Sequence, residues 1–173
     1  MEYWIVYDLA TGAELYPGSG MPGTAAYQQP PEGAGIVVVP QAVVAQQPRD
    51  LGALKAALIL GVDNDAERAR AAIITALPGQ VGTYVLKEAA ARAWLADNGA
   101  STAMLQPEAT ARGMTIAALA AEVIANAEAW AQLSGAIEGM RYAAKARIAA
   151  AATIGAIVEA AVIDWSVLNA PAA

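Results

Sequence analysis

The chain has 173 residues, with 10 Lys+Arg against 16 Asp+Glu, a formal net charge of −6, and no Cys, His or Phe. Without Cys there are no disulfides, thiolate metal sites or thiol nucleophiles. Without His the chain lacks the commonest general base, the commonest metal ligand and every triad built on imidazole. The acidic balance draws in no phosphates and argues against a nucleic-acid partner. The hydrophobic fraction of 57% and mean hydropathy of +0.40 owe most to alanine, about a quarter of the residues, which favours helix but buries little area. The most apolar segment, Ile148 to Ile163, contains Glu159 and is shorter than the ~20 residues of a membrane-spanning helix. The start, Met1-Glu2-Tyr3-Trp4, has no basic region of a secretory signal. The expectation is a protein made in the cytoplasm with no membrane partner.

Composition changes near Pro48, and two parts are read: 1–48 as a small β unit with a Gly/Pro/Gln-rich loop, and 49–173 as a helical region. In the first, Tyr3, Ile5 and Tyr7 alternate with Trp4, Val6 and Asp8, which predicts a strand with two packed faces. Asp8 to Gly12 supplies a turn, Ala13 to Tyr16 a returning strand, and Ile36 to Val39 a third. Pro17 to Gly33 is rich in turn formers and predicts no regular element. Three short strands barely sustain a sheet, so this unit must lean on a partner or on the helices.

In the second part, Asp50 can cap a helix that Gly61 ends. Asp63 can begin another that ends at Pro78. Pro78 to Gly82 reads as a loop, Tyr84 to Ala96 as a third helix, and Gln106-Pro107-Glu108 as a helical turn. Thr115 can cap a long stretch from Ile116 to about Ala152, in which Ile116, Val123, Trp130, Ile137 and Ala144 recur every seven residues. Leu119, Leu133 and Met140 form a second row, with Asn126 interrupting it. This is an a/d-like seam, closed either within one chain or between chains. Gly135 and Gly139 mark a close approach of a neighbouring helix or a break. Gly155 marks a further break before a final helix, Ile154 to Ile163, and a loose tail. The fold class expected is α+β, mostly α: a small N-terminal antiparallel β unit followed by an Ala-rich helical bundle with one long helix or helical hairpin.

Candidate chemistry is sparse. Gly18-Ser-Gly20-Met-Pro-Gly23 matches the spacing of a dinucleotide loop, but Pro22 intrudes and no helix opens after it. Asp63-Asn-Asp65-Ala-Glu67 has Arg68 where a calcium loop needs Gly and reads as a helix start. Glu122, Glu128 and Glu138 read as a solvated helix face, without the paired-acid cleft of a glycosidase. No catalytic, cofactor or metal residue is expected. Tyr3, Trp4, Tyr7, Tyr16 and Tyr27 are either a partner interface or the core of a small sheet. Trp94, Trp130 and Trp165 read as core. Tyr84 and Lys87 share a helix face, and Glu88 and Arg92 pair at i,i+4; with Gly79, Gln80 and Gly82 they read as a brace fixing two helices at one angle.

Two stretches carry a resemblance. Gly79-Gln80-x-x-x-Tyr84-x-x-Lys87-Glu88-x-x-Ala91-Arg92-x-Trp94 is one. Thr115-Ile-Ala-Ala-Leu-Ala-Ala-Glu-Val-Ile, with Ala129-Trp130, Ala136-Ile137-Glu138, Arg141 and Ala144-Lys145, is the other. Together they resemble the C-terminal helical region of small tail-associated proteins of bacteriophages and prophages. The opening Tyr3-x-Ile-Val-Tyr7-Asp8-x-x-Thr11-Gly12 is similar to the short β unit that precedes those helices. The chain departs from the pattern at Thr75-Ala-Leu-Pro78-Gly79 and at Ala90, where an acid is usual. The resemblance implies a virion or assembly role and no catalytic residues. The expectation is a non-enzymatic structural component of a phage virion, tail-associated at the baseplate or tail-fibre level. Its expected partners are other virion proteins and copies of itself, and the β unit is expected to offer an unpaired edge for strand addition. The alternatives are a tail-fibre assembly chaperone and a capsid fibre or decoration protein.

Overall fold

The alternation at the N-terminus is realised as the central strand of a three-stranded antiparallel sheet. In the computed structural model, which describes residues 1–73 and 78–169, β1 (Glu2–Asp8) is flanked by β2 (Glu14–Gly20) and β3 (Ala34–Val39) in the order β2-β1-β3. Helices follow: α1 (Gln41–Val44), α2 (Leu51–Ile73), α3 (Pro78–Ala96), α4 (Gln106–Arg112), the 35-residue α5 (Ile116–Ala150) and α6 (Ile154–Ala161). The architecture is therefore α+β and mostly α, an N-terminal sheet followed by helices that include one long one.

The chain divides into two compact units, Met1–Arg68 with Glu138–Ala173, and Ala69–Ile137. In the first, both faces of β1 are buried. Ile5 and Tyr7, with Val37 and Val39, join Val43, Leu54, Val62, Ile148, Ile154 and Ile157 in one core. Trp4 and Val6 form a second core on the opposite face with Ala25, packed by Ala34 and Ile36. The sheet thus leans on the helices of its own chain. Arg49 donates to both carboxylate oxygens of Glu14, at 2.8 and 2.7 Å, and to the Val44 carbonyl at 2.7 Å, fastening β2 to the segment after α1. Asp63 on α2 accepts from Arg141 at 2.7 Å and from Lys145 at 2.6 Å on α5, and Lys55 reaches the Ala149 carbonyl at 2.8 Å. The opposite order of these partners along the two helices makes them antiparallel.

Several boundaries differ from the sequence reading. β2 runs on through Pro17 to Gly20 because it is an edge strand, where proline costs no ladder bond on the open side. Trp4 pairs across from Gly18, and its indole occupies the space a Cβ at Gly18 would take. The segment expected to be irregular, Pro17 to Gly33, therefore holds part of a strand and a 3-10 turn at Thr24–Tyr27. That turn is tied to β1 by the Ala25 amide donating to Glu2 at 2.8 Å. Gly61 does not end a helix. It lacks the positive φ of a C-cap, and the burial of Leu54, Val62 and Ala66 on either side outweighs the roughly 0.5–1 kcal/mol cost of an interior glycine. Asp63 accordingly lies within α2, not at its start. Pro78 to Gly82 belongs to α3, proline being well suited to a first helical turn. Gly135 and Gly139 lie inside an unbroken α5, and no other described side chain or element comes within 4 Å of a Cβ built at either. The break before α6 falls at 151–153, where Thr153 caps the helix by accepting from the Ala156 amide at 3.2 Å. Gly155 instead packs its Cα side against Gly12. The caps at Asp50 (2.9 Å to the Ala53 amide) and Thr115 (3.1 Å to the Ala118 amide) stand where the sequence put them. The end of the helix read toward Pro78, the Thr75–Leu77 stretch and the tail from residue 170 lie outside the described residues.

Candidate functional site

The second unit is built from the last turn of α2, α3, α4 and the first part of α5. Its core joins Ala91 of α3, Leu105 and Ala109 at α4, and Leu119 and Ala120 of α5, packed by Ala90, Trp94, Ile116, Val123 and Ile124. Small residues at 90, 91, 109 and 120 let the helices approach closely, and Gly113, at φ 64°, ends α4 in the left-handed conformation that glycine adopts without cost. On α3 the core uses residues 90–94 and on α5 residues 116–124.

Beyond that core, α3 and α5 border an open groove of about 490 Å3. Its walls come from earlier residues of α3 (Val81, Tyr84, Val85) and later residues of α5 (Asn126, Trp130, Leu133). Core and groove residues thus run in opposite order on the two helices, which are antiparallel. Val81, Tyr84, Val85 and Glu88 fall at i, i+3, i+4 and i+7, one face of a helix. Tyr84 and the two valines remain exposed, Val85 at 62%. An apolar row at helical spacing is ordinarily covered, and here nothing among the described residues covers it.

The other end of the groove is charged and internally satisfied. Lys87 pairs with Glu108. Arg112 bridges Glu108 at 3.1 Å and Glu122 at 2.8 Å. Arg92 pairs with Glu88 at 2.9 Å and lies 3.6 Å from Glu128. The Lys87 ammonium, and after it the Arg112 guanidinium, hold the Glu108 carboxyl below the usual carboxylate range, against the opposing effect of burial. The hydrogen bond to Glu122, with that to Glu108, raises Arg112 further. The network is structural, and Glu108 is held as an anion, not poised near neutrality for proton transfer. Among the described residues no three His, Cys, Asp or Glu side chains are placed to hold a metal ion.

The aromatic set named from the sequence is dispersed. Trp4 and Tyr7 are buried, at 5% and 7% exposure, and serve opposite faces of β1. Burial raises the Tyr7 hydroxyl, as does the nearby charge of Glu159. Tyr3 packs against the same core as Tyr7. Only Tyr16 and Tyr27 are exposed. The five therefore do not form one surface. The seam residues fare differently: Ile116 and Val123 pack within the second unit, Ile137 is fully buried, and Trp130 borders the groove. Gly18 and Gly20 lie in β2 and Gly23 precedes the 3-10 turn, so the glycine-rich string opens no phosphate loop before a helix. Trp94 packs on the core of the second unit, and Trp165 lies half-buried in a 3-10 turn at Trp165–Asn169.

Reading 78–82 as a loop hides Val81, and with it the apolar row that continues through Tyr84 and Val85. The spacing of the two valines with Tyr84 and Glu88 is the available signal. The chain matches no family model, no curated protein and no solved structure. No described helix is long and apolar enough to cross a membrane.

Proposed function

We propose that this protein is a non-enzymatic structural component of a bacteriophage virion, tail-associated at the baseplate or tail-fibre level, that works through protein–protein contacts. The observation that carries the contact part of this reading is the open apolar groove of α3 and α5. A helix face of this kind, rimmed by ion pairs already closed on themselves, offers area for docking and no converging polar groups for chemistry. The virion part rests on the resemblance of the Gly79–Trp94 and Thr115–Lys145 stretches to small phage tail-associated proteins. Homo-oligomerisation belongs to the same proposal, since symmetric assemblies use repeated copies.

Quantitative mass spectrometry of purified particles from the phage or prophage encoding the chain tests the reading. Presence at a fixed copy number per particle is the expected result. Absence from particles, despite expression during their assembly, overturns it and favours a tail-fibre assembly chaperone instead.

A further inference from the structure

The connection between α3 and α4 opens with Asp97-Asn98-Gly99. Asp97 follows the last residue of α3, and its amide still donates to the Ala93 carbonyl at 2.9 Å. The Ala100 amide closes a turn on the Asp97 carbonyl at 2.9 Å. Inside that turn the Gly99 amide donates to the Asp97 carboxylate at 2.8 Å. Asn98 and Gly99 are both exposed. Of the other asparagines, Asn64 and Asn126 lie inside α2 and α5, where the following amide is committed to the helix ladder, and Asn169 is followed by alanine. Asn98 alone is followed by glycine, whose missing Cβ leaves its nitrogen open to approach.

We propose that Asn98 is a site of spontaneous deamidation, and that the Asp97 carboxylate restrains the reaction by holding the Gly99 amide. In the first step hydroxide takes the Gly99 amide proton and the nitrogen attacks Cγ of Asn98. The N–Cγ bond forms, the Cγ–Nδ2 bond breaks, and Nδ2 takes a proton from water and leaves as ammonia. Water then opens the five-membered succinimide. Cleavage at Cγ gives aspartate; cleavage at the backbone carbonyl carbon gives isoaspartate, with the chain running through Cβ. One water is consumed, one ammonia is released, and nothing is oxidised or reduced. While the turn is closed, the anionic Asp97 oxygen holds the very proton that must leave, and its charge opposes the amide anion. Opening of the turn is therefore the gate. The product sets a new carboxylate beside Asp97 at the C-terminal end of α3, where the helix dipole disfavours it and the last turn holds no basic residue. Trp94, in that last turn, packs on the core of the second unit, so the modification bears on that core.

The full chain is aged at mildly alkaline pH and sampled over time. Cleavage after Arg92 and Arg112 isolates Asn98 in the peptide 93–112, where mass spectrometry reads the exchange of NH2 for OH and enzymatic methylation reads isoaspartate. The expected result is conversion at Asn98 while Asn64 and Asn126 stay intact. Those two are internal controls, because global unfolding exposes them as well. Asp97→Ala removes one exposed hydrogen bond from the Gly99 amide and should speed conversion about three- to tenfold, with circular dichroism matching the wild type. The wild type unfolded in guanidinium chloride should likewise convert Asn98 faster than the folded chain. Conversion at Asn64 or Asn126 ahead of Asn98 overturns the site, as does a folded chain that stays unmodified at Asn98 while the unfolded chain converts fully. A rate that Asp97→Ala leaves unchanged or slows overturns the restraint. Should Asp97→Ala fail to fold, the folded and unfolded wild type still decide, and equal rates in the two overturn the gate.

Discussion

Adding one methyl group at Gly155 and at Gly139 should change stability in opposite directions. A Cβ at Gly155 falls 2.6 Å from the Gly12 Cα and 3.2 Å from the Tyr7 ring, where carbon atoms need about 3.5–4.0 Å. The nearest obstacle is backbone, so no rotamer relieves it; α6 or the turn between β1 and β2 must move by about 1 Å. That movement strains the bond from the Gly155 amide to the Gly12 carbonyl, now 3.0 Å, worth roughly 1 kcal/mol. Overpacking adds about 1–3 kcal/mol, and replacing a helical glycine returns roughly 0.5–1 kcal/mol. Gly155→Ala should therefore lose about 2 kcal/mol, lowering Tm by about 4–8 °C for a chain of this size. At Gly139 no other described element comes within 4 Å of such a Cβ, and only the helix-propensity gain remains, about 0.5–1 kcal/mol of stabilisation. Melting followed by far-UV circular dichroism, with urea titration as a check, measures both. A Gly155→Ala protein that melts at or above the wild type refutes the reasoning, as does a Gly139→Ala protein that falls equally far.

Three further outcomes follow from the same structure. Hydrogen bonds from Lys145 and then Arg141 depress the Asp63 pKa; its stabilisation is present above the unfolded-state value of about 4 and lost as pH falls through the folded value. Asp63→Asn should lower stability at pH 7 and flatten its decline below about pH 4, read from urea midpoints at pH 7, 4 and 3; an unchanged acid slope counts against the pair. Gly18→Ala forces the Trp4 indole off β2 and should destabilise by about 1–3 kcal/mol, with a shift in tryptophan emission; wild-type stability and spectrum together would contradict the packing. Ile157, fully buried in the core beneath the sheet, should cost about 2–5 kcal/mol as Ile157→Ala, and a loss under 1 kcal/mol in urea titration would place it elsewhere.

What the residues determine locally was legible in the sequence. The Tyr3–Asp8 alternation makes a strand with two packed faces, because side chains at period two point to opposite sides wherever both sides find cover. The caps at Asp50 and Thr115 and the length of α5 follow from short-range hydrogen bonding and from alanine's propensity. Only the tertiary structure decided the rest. Gly61 and Pro78 carry stop signals of modest size, and packing at Leu54, Val62 and Ala66, or a place in the first helical turn, overrides them. Trp4 and Tyr7 look the same in sequence as Tyr16 and Tyr27, but the central position of β1 buries the first pair while the others stay exposed. The groove was decided last. Val81 joins the face of Tyr84 and Val85 only because α3 begins at Pro78. Whether such a face is covered depends on which helices come to lie against it, a long-range outcome that no local spacing contains.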